Sequence, residues 1–389
     1  MCKSLKQSKK QQTKTNKSNN FSAVLTIEKL PNYLSSNIRL RFLRDEEKSF
    51  TTGEKELPLV IEPVQEKSFS ALAELVRENR DWFHRQQDNC GALLFLGFEI
   101  ETAAQFENIL ELLNVKLASK YHFGSSQRNR ITDKVFTSSE APGNLIIPPH
   151  NELNMVPVRP MSLAFFCQIE PTLYGETPII NTEKIFNELS PNLQHKFANT
   201  PQKFVRNVPN HLLGIVFEEL SREESIKMLE DGEFYFEWKA DGSLYFECSY
   251  IPVFHHPRTG KLCFCLSTFD SFVTREWYRS IAQRYPFKER IYYNFLPSKL
   301  YITLEGIDKA QPKMYLVNEE GNNTKMTEAE AKELGKAEWK NTVVFPWRQG
   351  DILVIDNLQV AHGRLNVQPP RKILTAFGNM CNIRDMKKK

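Results

Sequence analysis

Apolar positions along this chain change period several times, and each change predicts a different element. Between Ser70 and Arg85, Leu72, Leu75, Val76 and Phe83 recur at helical spacing, which predicts one helix with Ser70 as its N-cap. Gly91–Phe98 reads GALLFLGF, a continuous apolar run between turn signals, and predicts a buried strand. Helical periodicity returns over Glu101–Leu113 through Phe106, Ile109, Leu110 and Leu113. From about Val135 strands dominate, with Met161–Ile169 as a central strand and Tyr174-Gly175-Glu176 as a turn. Two short helices follow over Thr182–Leu189 and Ser190–Phe197, the second opening with Ser190 as N-cap and Pro191 at the first helical position.

The flanking regions are less regular. Ser22–Val64 alternates short apolar runs with polar turns and reads as strands with irregular connections. Phe204–Leu334 is a long middle section with helical patches at Phe217–Glu230 and Thr274–Tyr285, separated by Phe- and Tyr-rich strand candidates. Short apolar strands resume at Asn341–Phe345, Asp351–Ile355 and Lys372–Phe377. No internal repeat or low-complexity linker interrupts the chain after residue 21. The expected architecture is one domain over residues 22–389, of mixed α/β class with a mainly β, antiparallel core, flanking helices and a long insertion at about 200–340.

Composition adds bounds to that picture. A chain of 389 residues, 41% hydrophobic and 25% charged, has the make-up of a soluble globular protein with a full core. Its 27 phenylalanines suit a β-rich interior or an aromatic-lined pocket. The net charge of +4 is small, and much of it sits in residues 1–21, which carry Lys3, Lys6, Lys9, Lys10, Lys14 and Lys17 and no acidic residue. That basic tail is expected to be disordered, because it cannot bury enough surface to offset its ordering entropy. It reads as a solvated tail or an arm that docks on an anionic partner, and without it no basic excess points to nucleic acid. The seven cysteines are scattered and contain no C-x-x-C pair, so reduced thiols in a cytoplasmic protein are expected rather than disulfides or structural zinc. Met161–Ile169, the longest apolar stretch, is too short to span a bilayer, and residues 1–20 lack the apolar core of a secretory signal. No membrane partner is expected. Oligomeric state leaves no trace in the sequence.

One constellation carries chemistry. His150-Asn151-Glu152 directly follows Pro148-Pro149, which favours an extended backbone. On an extended chain residues i and i+2 share a face, so His150 and Glu152 point together and Asn151 faces away. One imidazole and one carboxylate make two corners of a facial triad for non-haem Fe(II), which needs two His, one carboxylate and open positions. Alone, an H-x-E triplet is weak. Among the eight histidines, His362 is the distinctive third candidate: Gly350-Asp351 opens a buried strand that ends at Asp356-Asn357 and delivers His362-Gly363-Arg364 to the edge of the core. Arg371 then begins another apolar strand, and its planar fork suits either a bidentate carboxylate ligand or a surface ion pair.

With these residues in place, the sequence resembles the taurine dioxygenase and clavaminate synthase-like superfamily of Fe(II)- and 2-oxoglutarate-dependent oxygenases, most closely its syringomycin-biosynthesis hydroxylase-like branch. Four segments carry the resemblance: VFTSSEAPGNLIIPPHNEL (135–153), SLAFFCQIEPTLYGETPI (162–179), HHPRTGKLCF (255–264) and FPWRQGDILVIDNLQVAHGRLNVQPPRKILTAF (345–377). They stand in the family's order and spacing, and the likeness covers about residues 90–380. It implies a double-stranded β-helix, or distorted jelly roll, with His150, Glu152 and His362 as ligands of Fe(II). It also implies that Thr177, in the YGET turn, and Arg371 bind the distal carboxylate of the cosubstrate 2-oxoglutarate. Departures occur at Tyr174, where relatives often have Gly, at Leu96-Gly97 in place of Arg-Gly, and at Phe264-Cys265-Leu266 in place of Phe-Asn-Gln. The last of these could fall in the substrate pocket.

The implied reaction consumes 2-oxoglutarate and O2, hydroxylates an aliphatic C–H and releases succinate and CO2. Glu152 favours oxygen insertion, desaturation or epoxidation over halogenation, since halogenating members of the wider group lack that carboxylate. The expected substrate is an amino acid or an amino-acid-derived small molecule, free or tethered to a carrier protein. Competing readings are a zinc-dependent hydrolase using the same three ligands and a catalytically silent jelly-roll binding protein. Three side features stay open: His255-His256, read as loop residues on the outer wall of the pocket; Cys263 and Cys265, read as core thiols; and Arg128 and Arg130, which suit an anionic substrate or a solvated surface equally. Arg364 could orient the loop around His362 or meet substrate.

Overall fold

The computed structural model describes residues 37–124, 128–143, 145–218, 220–267, 271–288, 290–291 and 312–386; the basic tail expected at 1–21 lies outside them. Its frame is two sheets. The larger has seven strands in the order Ile38–Phe42, Leu59–Pro63, Ala92–Phe95, Ile352–Asp356, Val158–Ile169, Lys372–Asn382 and Phe136–Thr137. Every neighbouring pair is antiparallel except Leu59–Pro63 with Ala92–Phe95. The smaller, antiparallel sheet has four strands in the order Thr342–Val343, Ile179–Asn181, Val360–Arg364 and Ile147–His150.

Alternation along these strands shows why the apolar runs are continuous. On Val158–Ile169, Leu163, Phe165 and Cys167 join one apolar cluster while Ala164 and Phe166 join another. Leu353 and Ile355 face the first cluster, and Ile352 and Val354 the second. Ile179, Val343 and Val360 of the smaller sheet also enter the first cluster, which therefore fills the space between the sheets. Their neighbours Ile180, Val344 and Ala361 turn the other way, onto a third cluster with the helices Thr182–Glu188, Pro191–Asn199 and Glu328–Lys340. Each sheet is thus apolar on both faces, which a strictly alternating sequence could not provide. Burying each large side chain contributes on the order of 1.5–3 kcal/mol.

The outer face of the large sheet carries three helices where two were expected. The predicted helix over Ser70–Arg85 is divided: Phe69–Glu78 ends at Asn79, and a second helix runs over Arg80–Cys90. Asn79 leaves the helical region (φ −120°, ψ 24°) and turns its own side-chain amide back to the Leu75 carbonyl. Asn competes with the helix backbone in this way, and the unbroken apolar spacing hides it. The N-cap is Ser68, whose hydroxyl accepts from the Ala71 amide, and Ser70 lies inside the helix. The third helix, Ala103–Leu112, matches expectation and carries a Thr102/Gln105 capping box.

Residues 202–324 hold a separate five-stranded sheet, ordered Tyr235–Trp238, Leu244–Tyr250, Gln202–Val208, Lys313–Val317 and Asn323–Thr324. Its Phe204, Val208, Phe246 and Tyr250 enter the same apolar cluster that lies between the two main sheets. The helical patch predicted over Phe217–Glu230 is two helices, Leu213–Phe217 and Arg222–Asp231, interrupted where Glu218 takes a left-handed backbone (φ 50°). The helix Glu328–Lys340 was not anticipated: its buried face is mostly small residues, Ala331, Gly335 and Ala337, with Leu334 as its one large apolar side chain. Its Thr327/Glu330 capping box was the available signal. Among the described residues no helix is long and apolar enough to cross a membrane.

Candidate active site

The two histidines meet because their strands pair. His150 ends the strand Ile147–His150 and His362 lies in Val360–Arg364, and they are directly opposite one another in the ladder. The chains approach so closely there that a Cβ on Gly363 would stand 2.6 Å from the Ile147 carbonyl oxygen, which restricts that position to glycine. The strand stops at His150, so Glu152 reaches the site from the following turn. Asn151 faces the other way, as expected: its amide donates to the Asn357 carbonyl at 2.6 Å, and its oxygen accepts from the Leu266 amide at 2.8 Å. Asn357 closes the turn by accepting from the Glu152 amide (2.7 Å) and donating to the Glu152 and Pro160 carbonyls (3.1 and 2.8 Å).

His150, Glu152 and His362 each offer a ligand atom, all within 4.8 Å of one another, a group of the kind that can hold a metal ion. The imidazole centroids are 4.5 Å apart, and His362 Nε2 lies 3.5 Å from Glu152 Oε2. His150 Nδ1 sits 3.1 Å from the Pro148 carbonyl, which fixes the proton on Nδ1 and leaves the Nε2 lone pair free to bind a cation. Burial, and then the neighbouring His362, push the His150 imidazole down to about 4, so it is neutral at pH 7. Burial by itself would raise Glu152; the Arg128 charge and the two histidines override it and hold the carboxyl well below its usual range. A neutral imidazole and an ionised carboxylate bind a cation without first losing protons.

Arg128 is therefore neither solvated nor reserved for an anionic substrate. Its guanidinium donates to Glu152 Oε1 at 3.0 Å and to the Tyr121 hydroxyl at 3.2 Å, and it lies 4.2 Å from the centre of the Tyr121 ring. Tyr121 also donates its hydroxyl to Glu152 Oε1. Arg130 does remain partly exposed, 3.6 Å from Asp133 and 3.9 Å from Glu218.

Thr177 and Arg371 converge on the YGET turn. Arg371 Nε donates to the Gly175 carbonyl at 2.9 Å, and its Nη1 reaches the Ser138 hydroxyl at 3.4 Å. Gly175 has φ +78°, and a Cβ there would meet Val367 Cγ2 at 2.8 Å and Arg371 Cδ at 3.1 Å. Thr177 is buried and accepts from the Trp347 indole at 3.0 Å. Among the described residues no carboxylate comes within ion-pair distance of Arg371, and burial, followed by the Arg364 charge, lowers it to about 10. Arg364 itself is a structural clamp, donating to the backbone carbonyls of Ser139, Ala141, Pro142 and Leu145. Tyr174, the departure from glycine, occupies a left-handed backbone (φ 63°) that glycine adopts freely; its ring lies 4.3 Å from the Arg284 guanidinium. Arg284 also pairs with Glu176 at 2.5 Å, joining the middle section of the chain to the turn.

Two other expectations resolve differently. His256 does not line an outer wall: it is buried, 2.9 Å from Asp356, and its Nδ1 accepts from the Arg258 and Thr259 amides. Cys263 and Cys265 are buried free thiols, as expected, with Cys265 2.7 Å from the Arg159 guanidinium. Tyr121, Asn357 and Trp347 were missed as site residues. Asn357 and Trp347 lie inside the FPWRQGDILVIDN segment, whereas no local pattern marks Tyr121.

Comparison with known proteins agrees with this geometry. The family model described as taurine catabolism dioxygenase TauD, TfdA family matches residues 54–377. The clavaminate synthase-like protein of Arabidopsis thaliana is 23% identical over 327 residues, 81% of this chain and 89% of that protein. The dapdiamide synthesis protein DdaC of Enterobacter agglomerans is 25% identical over 300 residues, 74% of this chain and 82% of its own. The crystal structure of PvcB from Pseudomonas aeruginosa shares the fold, with a TM-score of 0.52 at 13% identity over 90% of this chain and 94% of its own. Hydrolytic and catalytically silent readings of the chain are thereby set aside. The chain belongs to the TauD/TfdA dioxygenase family and is a 2-oxoglutarate-dependent non-haem iron dioxygenase, with Fe(II), 2-oxoglutarate and O2 as its cofactor and cosubstrates.

Proposed function

We propose that His150, Glu152 and His362 hold Fe(II) inside a jelly roll formed by the two main sheets, and that the enzyme hydroxylates an aliphatic C–H of an amino acid or amino-acid-derived substrate. The observation that carries the reading is the convergence of these three side chains within 4.8 Å, from two paired strands and a turn. When bound, Fe(II), 2-oxoglutarate and O2 supply the oxidising chemistry, with succinate and CO2 as the by-products. The protein's own residues bind and orient. Arg371 offers a largely buried guanidinium with no carboxylate partner among the described residues, and Thr177 a buried hydroxyl on the turn that Arg371 contacts, to the distal carboxylate of 2-oxoglutarate. Phe165, whose ring lies 5.0 Å from His362, keeps that flank apolar and excludes water.

Two relatives support a small-molecule biosynthetic substrate by name: one is a dapdiamide synthesis protein, and PvcB is described as belonging to an isonitrile synthetic pathway. A substrate tethered to a carrier protein fits the same reading. So does a single domain over residues 22–389 in a reducing, cytoplasmic setting, because every described cysteine is a free thiol. The experiment is anaerobic addition of Fe(II) and 2-oxoglutarate, which should produce a weak charge-transfer band in the visible. His150→Ala and Arg371→Ala should each abolish it. Absence of the band in the unaltered protein would sink the proposal. A panel of amino acids and their carrier-linked thioesters, scored by stimulated succinate formation, then identifies the substrate class.

A further inference from the structure

We infer that Tyr121 and Arg128 are positioning residues that hold Glu152 to a one-oxygen grip on the metal and keep the remaining coordination positions open. The inference rests on the ligand assignment proposed above and concerns how one of those ligands is oriented. Glu152 has two carboxylate oxygens with different surroundings. Oε1 receives both the Tyr121 hydroxyl and the Arg128 guanidinium, whereas Oε2 faces His362 Nε2 at 3.5 Å. The two donors support each other, since Arg128 also bonds the Tyr121 oxygen at 3.2 Å and stacks 4.2 Å from its ring centre.

Tyr121 is itself anchored at both ends. Its ring meets the edge of Phe377 with centroids 5.2 Å apart, and its backbone amide donates to Glu218 Oε1 at 3.0 Å. A carboxylate free to rotate can chelate a metal through both oxygens. Here that second bond would occupy a position that a facial triad must leave for 2-oxoglutarate and oxygen. Two donors engaged on Oε1 oppose the rotation. Arg128 also compensates the charge of a carboxylate that is almost wholly buried (3% exposed), which would be costly unpaired.

The test uses the full chain with Co(II) as a spectroscopic stand-in for Fe(II). The unaltered protein should show visible Co(II) bands that disappear in His150→Ala. Tyr121→Phe, which removes a single oxygen atom, should weaken Co(II) binding about tenfold, and combination with Arg128→Met by up to about a hundredfold. Band shape should change in both as the second carboxylate oxygen joins the metal, and 2-oxoglutarate should bind these Co(II) forms more weakly. Arg128→Lys, which keeps the charge but not the fork, should restore affinity in part and the original band shape less. Unchanged affinity and unchanged bands in folded Tyr121→Phe would overturn the inference while leaving the ligands intact. Bands that survive His150→Ala would instead overturn the ligand assignment, and the inference with it.

Discussion

The two halves of the site differ in how their charges are resolved. At the proposed metal corner, Glu152 is buried but engaged by Arg128 and Tyr121, and the facing His150 is neutral. At the proposed cosubstrate corner, Arg371 is largely buried and, among the described residues, has a backbone carbonyl and a hydroxyl as hydrogen-bond partners and no carboxylate within ion-pair distance, beside a second arginine at 364. One corner is nearly charge-complete before anything binds. The other carries a cation that a dicarboxylate would complete. A buried charge left without its counter-charge marks a ligand site more specifically than any spacing in the chain.

That contrast can be broken in several ways. The largest effect should come from His150→Ala, which is expected to cut succinate formation by about a thousandfold or more; residual activity near that of the parent would remove His150 from the ligand set. Next is pH. His150 sits at about 4 against an ordinary 6.5, so between those values the unfolded chain binds the extra proton. The metal-free protein should therefore keep this stability above pH 6.5 and lose about 3 kcal/mol as pH falls through 4. Urea melts across that window should show it, and His150→Gln should flatten the slope. A smaller effect is expected from Arg371→Met: the KM for 2-oxoglutarate should rise about a hundredfold, while metal-free stability stays within about 1 kcal/mol because the charge it removes is uncompensated. Loss of several kcal/mol in the same melts would make Arg371 a structural residue and erase the difference between the corners. The smallest is Gly175→Ala, whose new Cβ would crowd Arg371 and is expected to raise that KM about tenfold; saturation curves with 2-oxoglutarate decide it.

Much of the frame was readable from local pattern. GALLFLGF and SLAFFCQI are strands because an unbroken apolar run needs a sheet covered on both faces, and both faces are covered here. Apolar periodicity named the helix Ala103–Leu112, and Ser190-Pro191 the start of Pro191–Asn199, although the Ser190 hydroxyl makes no cap bond. Pattern failed where a polar residue acted against its neighbours. Asn79 broke a helix whose apolar spacing continued across it, and Glu218 interrupted another. The helix Glu328–Lys340 escaped because alanines supply much of its buried face.

By itself the sequence determined which residue types could serve as ligands and how they project locally: the prolines extend the backbone before His150, Asn151 turns away, and glycine follows His362. Spacing along a chain sets direction over a few residues, and that was enough for His150 and Glu152. Tertiary structure decided everything that depends on neighbours far apart in the chain. It paired His150 with His362, buried Arg128 beside Glu152 instead of in solvent, took His256 off the pocket wall, and left Arg371 without a carboxylate partner among the described residues. The reason is physical: desolvation and charge interactions follow distance in space and the surrounding medium, and a one-dimensional pattern records neither.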